Sequence, residues 1–417
     1  MKNITIFVVV TIKSMIKRDA YLQKIEPFVN KPLIKILTGI RRSGKSTVLK
    51  LLKDELLLSG VSEEQIIIIN FESIVYSDIC TAVKLYEYIS DRIEPSKKYY
   101  LLLDEIQEVS QWEKAINSLI VDYDTDIYLT GSNSHLLSSE LATYLAGRYV
   151  EIAVYTLSFM EYLDFKKKYF HDSISDRKDL FVSYLRMGGF PVIHTADYTE
   201  ETAYKIVYDI YSSVILRDTV QRYKIRDVEL LERVVRYALD SIGSTFSGKN
   251  VADYFKNQQR KTDINTIYNY LKALEGAFIL YRVPRYDIRG KEILKTQEKY
   301  YVSDVSLLYA TMGYRDRMIS GILENIVFLE LIRRGYRVYV GKLYTKEIDF
   351  IAEKQSERIY IQVAYKLDSE QTIEREFSNL LEIDDQYPKY VISMDDFWRD
   401  TINGVQHIHI SDFLLNN

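Results

Sequence analysis

Short apolar runs alternate with amphipathic stretches over residues 32–155. Runs rich in Ile, Leu and Val are typical of strands that are buried on both faces of a parallel sheet. Apolar residues at helical spacing fill intervals between them, and this alternation predicts a doubly wound α/β domain. The predicted strands are 32–39, 65–71, 99–105, 126–132 and 149–155, and the clearest helices are 44–60 and 111–123.

The pattern changes after this domain. Apolar residues recur at helical spacing over 156–300, and the last part returns to strand-like runs such as EIDFIAE, RIYIQVAY and PKYVISM. We expect a multidomain α/β protein whose domains pack on one another, because no low-complexity linker separates them. The predicted division is an N-terminal extension at 1–14, an α/β domain at 15–155, a helical lid at 156–225, a winged helix at 226–300 and a mixed α/β domain at 301–417.

Composition narrows the class of protein. A chain of 417 residues is too long for one ordinary domain, and 47% hydrophobic with 27% charged residues indicates a folded protein. The net charge of −4 does not indicate nucleic-acid binding, so any such site must be a local basic patch. The one cysteine, Cys80, excludes an internal disulfide and a cysteine-based zinc site, which is consistent with a reducing compartment.

The N-terminus carries an apolar run, ITIFVVVTI, at residues 4–12. The run is too short to span a membrane, and no small-residue cleavage site follows it. We expect a short strand or a disordered extension, with Met15 as an alternative natural start. The expected protein is cytoplasmic and has no membrane partner.

The segment GIRRSGKST, residues 39–47, follows a predicted strand and opens a predicted helix. Its glycines let backbone N–H groups converge on phosphate oxygens at the positive end of the helix. In this P-loop pattern Lys45 reaches the β- and γ-phosphates of ATP, and the Ser46 hydroxyl ligates Mg²⁺. The predicted nucleotide-binding residues are Gly39, Arg41, Arg42, Ser43, Gly44, Lys45, Ser46 and Thr47.

A carboxylate pair ends the strand YYLLLDE. Asp104 is predicted to hold Mg²⁺ and Glu105 to orient or polarise the attacking water. The alternative is a solvated strand end, but the preceding P-loop favours the functional interpretation. Hydrolysis would then use Lys45, Ser46, Asp104 and Glu105 together.

Three further positions resemble elements of known ATPases. The strand ending in YLTGSNS places Ser132 or Asn133 at a position that resembles sensor 1 of AAA+ proteins, although Asn133 could instead cap the next helix. Arg148 matches their arginine-finger position and would then complete a neighbour's site in a homo-oligomer, unless it only caps a helix. Pro191, in MGGFP, resembles the lid element by which signal-transduction ATPases contact nucleotide, although such a turn is common.

Several segments together resemble one family, the bacterial and archaeal AAA-type ATPases with a C-terminal domain of unknown function. The resemblance covers the chain from Met15 to the end, and it implies ATP binding and hydrolysis without defining a biological role. The segments include KRDAYLQKIEPF, TGIRRSGKST, LLLDEIQEVSQWEKAI, LTGSNS, YLRMGGFP, KYYVSDVSLLYA and EIDFIAE.

The middle of the chain reads as a winged helix. Its third helix, DINTIYNYLKALEGAFIL, is expected to expose Asn265, Thr266, Asn269 and Lys272 toward DNA bases or phosphates. The following hairpin, 281–299, carries six Lys or Arg against three acids, which suits phosphate contact. The alternative is a winged helix that packs as a lid, with a basic hairpin that is only solvated.

The last domain resembles the PD-(D/E)xK nuclease fold. Glu324 matches its helix acid and Asp349 its metal-binding Asp, but Gln362 and Ala364 replace the Glu and Lys that metal-dependent cleavage needs. Lys366 is predicted to share the strand face of Ala364, displaced by about 6–7 Å. The prediction is therefore a degenerate nuclease-like scaffold.

Three purposes remain open for the whole chain. The first is a DNA-associated ATPase with a catalytically degenerate nuclease-like domain. The second is an oligomerising nucleotide-dependent switch that binds protein partners. The third is an ATP-regulated nuclease.

Overall fold

A computed structural model describes residues 16–134, 145, 147–170, 176–257, 262–313, 318–396 and 401–416. The predicted N-terminal extension at 1–14 and the start at Met15 lie outside the described residues. No helix in the described ranges is both long and apolar enough to cross a membrane.

The N-terminal part is a five-stranded parallel sheet flanked by helices, as the sequence predicts. The strand order is β2-β3-β4-β1-β5. The strands are β1 (Ile34–Thr38), β2 (Ile66–Asn70), β3 (Tyr99–Asp104), β4 (Thr125–Gly131) and β5 (Tyr149–Ala153). The helices are α1 (Asp19–Ile25), α2 (Lys45–Leu58), α3 (Ala82–Ser90) and α4 (Trp112–Asp122).

The apolar strands of this sheet are covered on both faces. Every residue of β1 and β3 is buried. Leu101 and Leu103 pack toward α3 and α4, and Leu102 packs toward α1 and α2. Alternate residues of one strand thus enter two separate cores, and this explains why consecutive positions in the middle of β3 are apolar.

The middle of the chain is helical. Its elements are α5 (Phe159–Phe170), α6 (Arg177–Met187), α7 (Glu200–Ser213), a π-helical segment (Val214–Gln221), α8 (Val228–Asp240), α9 (Gly248–Asn257) and α10 (Ile264–Gly276). Apolar residues of these helices share one continuous core with the C-terminal part. The expected packing of the domains on one another is therefore observed.

The C-terminal part is built on an eight-stranded mixed sheet of order β12-β13-β11-β10-β9-β8-β6-β7. Its strands are β6 (Leu280–Asp287), β7 (Glu292–Val302), β8 (Arg337–Leu343), β9 (Lys346–Lys354), β10 (Glu357–Val363), β11 (Lys389–Ser393), β12 (Thr401–Ile402) and β13 (Val405–His409). Its helices are α11 (Ser306–Met312), α12 (Ile319–Arg333), α13 (Glu370–Leu381) and α14 (Ile410–Leu415).

The hairpin β6–β7 belongs to this larger sheet. Residues 285–287 of β6 pair in parallel with β8, and β7 pairs with β6. The boundary predicted after residue 300 therefore falls inside β7. The pairing joins the end of the middle region to the C-terminal strands in one hydrogen-bonded layer.

Candidate functional site

The loop between β1 and α2 has the backbone that its glycines permit. Gly39 has φ 143°, and a Cβ at this position would lie 2.1 Å from the carbonyl oxygen of Val154. Gly44 has φ 103°, which L side chains rarely adopt. The next residue, Lys45, begins α2, so the loop delivers the chain directly to a helix N-terminus. This is the strand–loop–helix geometry expected for a phosphate site.

Lys45 lies almost fully buried inside the loop. Its Nζ donates to the carbonyl oxygens of Gly39 at 3.0 Å and Ile40 at 3.3 Å, and lies 3.8 Å from Oε1 of Glu105. Burial lowers the pKa of the Lys45 ammonium, and Glu105 and Asp104 partly oppose this. An anion placed beside this ammonium would therefore be strongly attracted.

The remaining predicted loop residues differ in exposure. Arg42 is exposed and has a left-handed φ of 66°, and Thr47 on the first turn of α2 is half-buried. Ser43 is fully buried, and its Oγ has no hydrogen-bond partner among the described residues. The structure gives these three residues positions in or beside the loop.

Asp104 ends β3 beside the start of α2. Its Oδ1 accepts from Thr130 Oγ1 at 2.5 Å, and its Oδ2 accepts from Asn70 Nδ2 at 3.0 Å. Burial raises the pKa of Asp104, and hydrogen bonds from Thr130 and Ser46 oppose this rise. A buried carboxylate in contact with the Ser46 hydroxyl is a donor set that suits Mg²⁺. Thr130 and Asn70 orient Asp104 and were not predicted from the sequence.

Glu105 occupies a constrained backbone position. Its φ is 56°, in the left-handed region, and its backbone N–H donates to Thr130 Oγ1 at 2.9 Å. Its carboxylate accepts from the Gln107 side chain and faces Lys45. The turn directs Glu105 into the same space as Lys45, which is the position expected of a group that orients water.

The end of β4 lies between β1 and β3, as the sequence predicts for Ser132 and Asn133. Both side chains are fully buried. Ser132 Oγ lies 3.5 Å from Oδ1 of Asp218, and Asn133 Nδ2 donates to the Asp218 carbonyl oxygen at 3.2 Å. The π-helical segment thus contacts the end of β4.

Asp218 also meets the P-loop. Its Oδ2 lies 3.4 Å from Nε of Arg41, whose Nη1 donates to Glu72 at 2.7 Å. No role for Asp218 is predicted from the sequence, although its spacing from Val214 and Ile215 places it on the buried face of its helix. A carboxylate on an apolar helix face is a signal that could have indicated it.

Arg18 stabilises the P-loop through hydrogen bonds to backbone carbonyl oxygens. Its guanidinium donates to the carbonyl oxygens of Ser43 at 2.7 Å and Tyr155 at 3.0 Å, and to both oxygens of Glu161. The side chain is fully buried, and Arg18 lowers the pKa of Glu161. Five donors in a rigid fork suit this task. No pattern in the sequence indicates this role.

Pro191, in the helical middle part of the chain, lies close to the loop. A Cβ on Gly44 would be 3.9 Å from Cγ of Pro191. The preceding Gly188 and Gly189 contact Asp304 of the C-terminal part, whose Oδ2 accepts from the Gly189 N–H at 2.8 Å. The MGGFP turn therefore connects the nucleotide loop to the C-terminal part.

Arg148 lies at the opposite end of the sheet from the P-loop. Its carbonyl oxygen accepts from the N–H of Ile34, the first residue of β1, and its side chain is exposed. The length of β1 separates this point from the P-loop by about 13 Å at the rise of a strand. Arg148 is therefore not brought to the Lys45 site of its own chain.

The predicted nuclease-like residues gather around a lysine that the sequence did not reveal. Lys299, on β7, is fully buried, and its Nζ lies 2.8 Å from Glu347, 3.1 Å from Glu324 and 3.5 Å from Asp349. These acids come from α12 and β9. Burial and Asp349 raise the pKa of Glu324 to about 8. Burial lowers the pKa of Lys299, but Tyr301 and the three acids outweigh it and hold that pKa well above its usual value. An ammonium thus lies at the centre of the acidic cluster.

Gln362 and Lys366 differ in their relation to this cluster. Gln362 Oε1 accepts from the Asp349 N–H at 2.7 Å, and its Nε2 donates to Glu376. The expectation that Lys366 continues the strand face of Ala364 is wrong, because β10 ends at Val363. Lys366 is exposed and lines the same cleft of about 460 Å³. Among the residues that the structure describes, no three His, Cys, Asp or Glu are arranged to hold a metal ion.

The basic hairpin presents fewer cations than its sequence suggests. Lys299 points into the acidic cluster, and Arg285 is only 11% exposed and lies 3.8 Å from Glu347. Arg289 and Lys291 are exposed. On α10, Asn265, Asn269 and Lys272 are exposed and Thr266 is half-buried, close to the predicted polar face.

Comparison with known sequences gives matches along most of the chain. Residues 31–163 match the family model of an AAA domain, and residues 178–317 match that of a domain of unknown function (DUF8612). An uncharacterized protein of Haemophilus influenzae is 41% identical over 404 residues, which are 97% of this chain and 99% of that protein. An uncharacterized protein of Methanocaldococcus jannaschii is 28% identical over 90% of this chain and 86% of that protein.

Solved structures resemble this chain more distantly. The Walker-type ATPase PABY2304 of Pyrococcus abyssi has a TM-score of 0.46 and 14% identity, over 71% of this chain and 96% of that chain. The Orc1 protein of Aeropyrum pernix in complex with DNA has a TM-score of 0.33 and 15% identity, over 74% of this chain and 94% of that chain. Scores this low carry no functional argument.

Proposed function

We infer the function from family membership: this chain belongs to the same family as the uncharacterized Haemophilus influenzae protein, and it carries an AAA domain over residues 31–163. The proposed activity is Mg²⁺-dependent binding and hydrolysis of ATP. The observation that carries it is the meeting of Lys45, Asp104 and Glu105 in one buried space at the carboxyl edge of the parallel sheet.

Each of these groups has a distinct proposed role. Lys45 supplies positive charge to the β- and γ-phosphates in a buried setting, where charge interactions are strong. Asp104 and Ser46 would hold Mg²⁺, which supplies neutralisation of phosphate charge when bound. Glu105 orients and polarises the attacking water, and its carboxylate is held toward Lys45 by the turn at the end of β3.

Two substitutions test this proposal. Lys45→Ala should abolish ATP binding or turnover, and Glu105→Gln should bind ATP but stall hydrolysis. Lys50→Ala is a matched control, because Lys50 is exposed on the same helix. ATP binding is measured by calorimetry and turnover by phosphate release. Normal hydrolysis by the Glu105→Gln protein would refute the role of Glu105.

We propose that the chain forms a homo-oligomer in which Arg148 of one copy completes the ATP site of its neighbour. Arg148 is exposed at the end of the sheet far from its own P-loop, so any contact with the γ-phosphate would be made in a neighbouring copy. Sizing with and without ATP tests this, together with Arg148→Ala. Full ATPase activity of a strictly monomeric Arg148→Ala protein would contradict an action in trans.

Association with DNA is a second candidate function. It is supported by the order α8-α9-α10 followed by the hairpin β6–β7, as in a winged helix, and by the exposed polar face of α10. Charge reversal of Lys272 and Arg289 should weaken DNA binding and reduce its salt slope by about 2. Lys50→Glu serves as the control. Affinity that survives both reversals would refute this surface.

The cleft around Glu324 and Asp349 is proposed to be a catalytically degenerate nuclease-like scaffold. Lys299 neutralises its acids from within, and Gln362 is engaged with Asp349 and Glu376. Metal-dependent DNA cleavage that is lost on Asp349→Ala would overturn this view and favour an ATP-regulated nuclease.

A further inference from the structure

Asp218 brings a buried carboxylate from the lid into the nucleotide site. Only 2% of the residue is exposed. One oxygen faces the Arg41 guanidinium of the P-loop at 3.4 Å, and the other lies 3.5 Å from Ser132 Oγ at the end of β4. The backbone of the same residue accepts from Asn133. The P-loop and the end of β4 therefore both contact Asp218.

The donors around Asp218 suit a phosphate as well as a carboxylate. A guanidinium and a hydroxyl are groups that bind phosphate oxygens. Asp218 also acts on Lys45 and Glu105 electrostatically: it favours the charged form of Lys45, and Glu105 favours the neutral form of Asp218. The carboxylate thus lies within the electrostatic reach of the lysine and the carboxylate assigned to the terminal phosphate and its water.

We propose that Asp218 competes with the terminal phosphate of a nucleoside triphosphate for Arg41 and Ser132, and so sets the preference of the site between triphosphate and diphosphate. The inference rests on the proposed function, because it concerns the same site. Two anions cannot share these donors without repulsion, so a triphosphate must displace the carboxylate. A diphosphate has no terminal phosphate at this position and leaves the contact in place.

Displacement of Asp218 would move an identifiable part of the lid. The residue lies in the π-helical segment, a type of helix that is rare and often found at functional sites. Its neighbour Arg217 lies 3.5 Å from both Glu72 and Glu108, so the segment has a second contact with the nucleotide domain. Triphosphate binding is therefore coupled to the position of the lid through a competition between anions.

The test measures two affinities on the full chain. Calorimetry with Mg²⁺ gives the Kd of AMPPNP, a nonhydrolysable triphosphate, and the Kd of ADP. Asp218→Asn removes the charge without changing the shape, and it should shift the ratio of the two affinities toward AMPPNP by about tenfold. Asp209→Asn is the matched control, because Asp209 is exposed on α7 and its change removes the same charge. It should leave the ratio unchanged.

A second variant predicts the opposite sign. Arg41→Gln removes the cation that Asp218 holds, so the uncompensated carboxylate should weaken AMPPNP binding more than ADP binding. Arg41→Gln also tests the competition between Asp218 and the terminal phosphate if Asp218→Asn does not fold. An unchanged ratio, or one that moves toward ADP in Asp218→Asn, would overturn the competition while leaving Lys45-dependent ATP binding intact. Failure of the wild type and of Asp218→Asn to bind either nucleotide would overturn the proposed function as well.

Discussion

Replacement of Lys299 with Met removes the cation from the acidic cluster of the C-terminal cleft. The Lys299 ammonium is 1% exposed and lies within 3.5 Å of Glu324, Glu347 and Asp349. Met fills a similar volume, so the change is mainly one of charge. The carboxylates of the variant would face one another without their internal counter-ion.

The magnitude follows from the burial and the contacts. At an effective dielectric constant of about 20, one pair of charges 3 Å apart interacts by about 5 kcal/mol, but most of this offsets desolvation. Loss of one partner of a buried ion pair typically costs about 3–5 kcal/mol. We expect Lys299→Met to lower the free energy of unfolding by that amount, which is a large part of the 5–15 kcal/mol that is usual for a domain.

The assay is equilibrium unfolding in urea at two pH values. Glu324 has a folded-state pKa raised to about 8 from an ordinary value of 4.5, so its proton stabilises the fold fully below about pH 4.5 and progressively less as the pH rises toward 8. Without Lys299 the carboxylate pKa values rise further. The variant should therefore be more strongly destabilised at pH 8 than at pH 5.

Two comparisons make the result decisive. Lys346→Met removes a half-buried lysine of β9 whose partner, Glu382, is exposed at the end of α13, and it should cost at most about 1 kcal/mol. At pH 8, addition of Glu324→Gln to Lys299→Met should recover about 1–3 kcal/mol, because the fold then no longer contains a buried carboxyl group that must either stay charged or take up a proton. A loss equal to that of the control, or a loss that grows as the pH falls, would show that Lys299 does not neutralise these carboxylates.

Three other outcomes are expected from single changes. Gly188→Ala should lower the free energy of unfolding by about 2–4 kcal/mol in thermal unfolding, because φ of Gly188 is 69° and the new Cβ would meet Oδ1 of Asp304 at 2.0 Å. The control Gly60→Ala is also at positive φ but in open space, and it should cost about 1 kcal/mol. Arg18→Met should weaken ATP binding and lower urea stability by about 3–5 kcal/mol, and unchanged nucleotide affinity would count against a supporting role for the guanidinium. Burial lowers the pKa of His194 to about 4, so the neutral imidazole stabilises the fold fully above about pH 6.5, and this stabilisation is lost as the pH falls toward 4. The free energy of unfolding of the wild type and of His194→Gln is measured in urea at pH 4.5 and 7. A difference between the two proteins that is the same at both pH values would contradict this.

The nucleotide domain could be predicted well because its signals are local. The P-loop lies between a strand and a helix, Asp104 ends β3, and Ser132 follows β4, whose carboxyl end meets that of β3 at one edge of the sheet. Thr130 and Arg18 could not be predicted, since a strand threonine and an N-terminal arginine have no distinctive pattern. Their roles depend on tertiary contacts between distant segments.

The C-terminal part was harder to predict for a related reason. The acids Glu324 and Asp349 are on elements close together in sequence, but Lys299 reaches them from β7 only because β6 pairs with β8. Strand pairing over long separations leaves no periodic signal in the chain. The prediction for Lys366 assumes that the strand continues past Ala364, and the end of β10 at Val363 removes that basis.

The continuous layer formed by β6, β7 and β8 limits how this protein can be divided for experiments. A fragment that begins at residue 301 would lack β6 and nearly all of β7, and it would lose Lys299. The backbone groups of β8 would then form an open edge, a common template for aggregation. A soluble C-terminal fragment should therefore begin before Leu280, so that the hairpin remains to close the sheet.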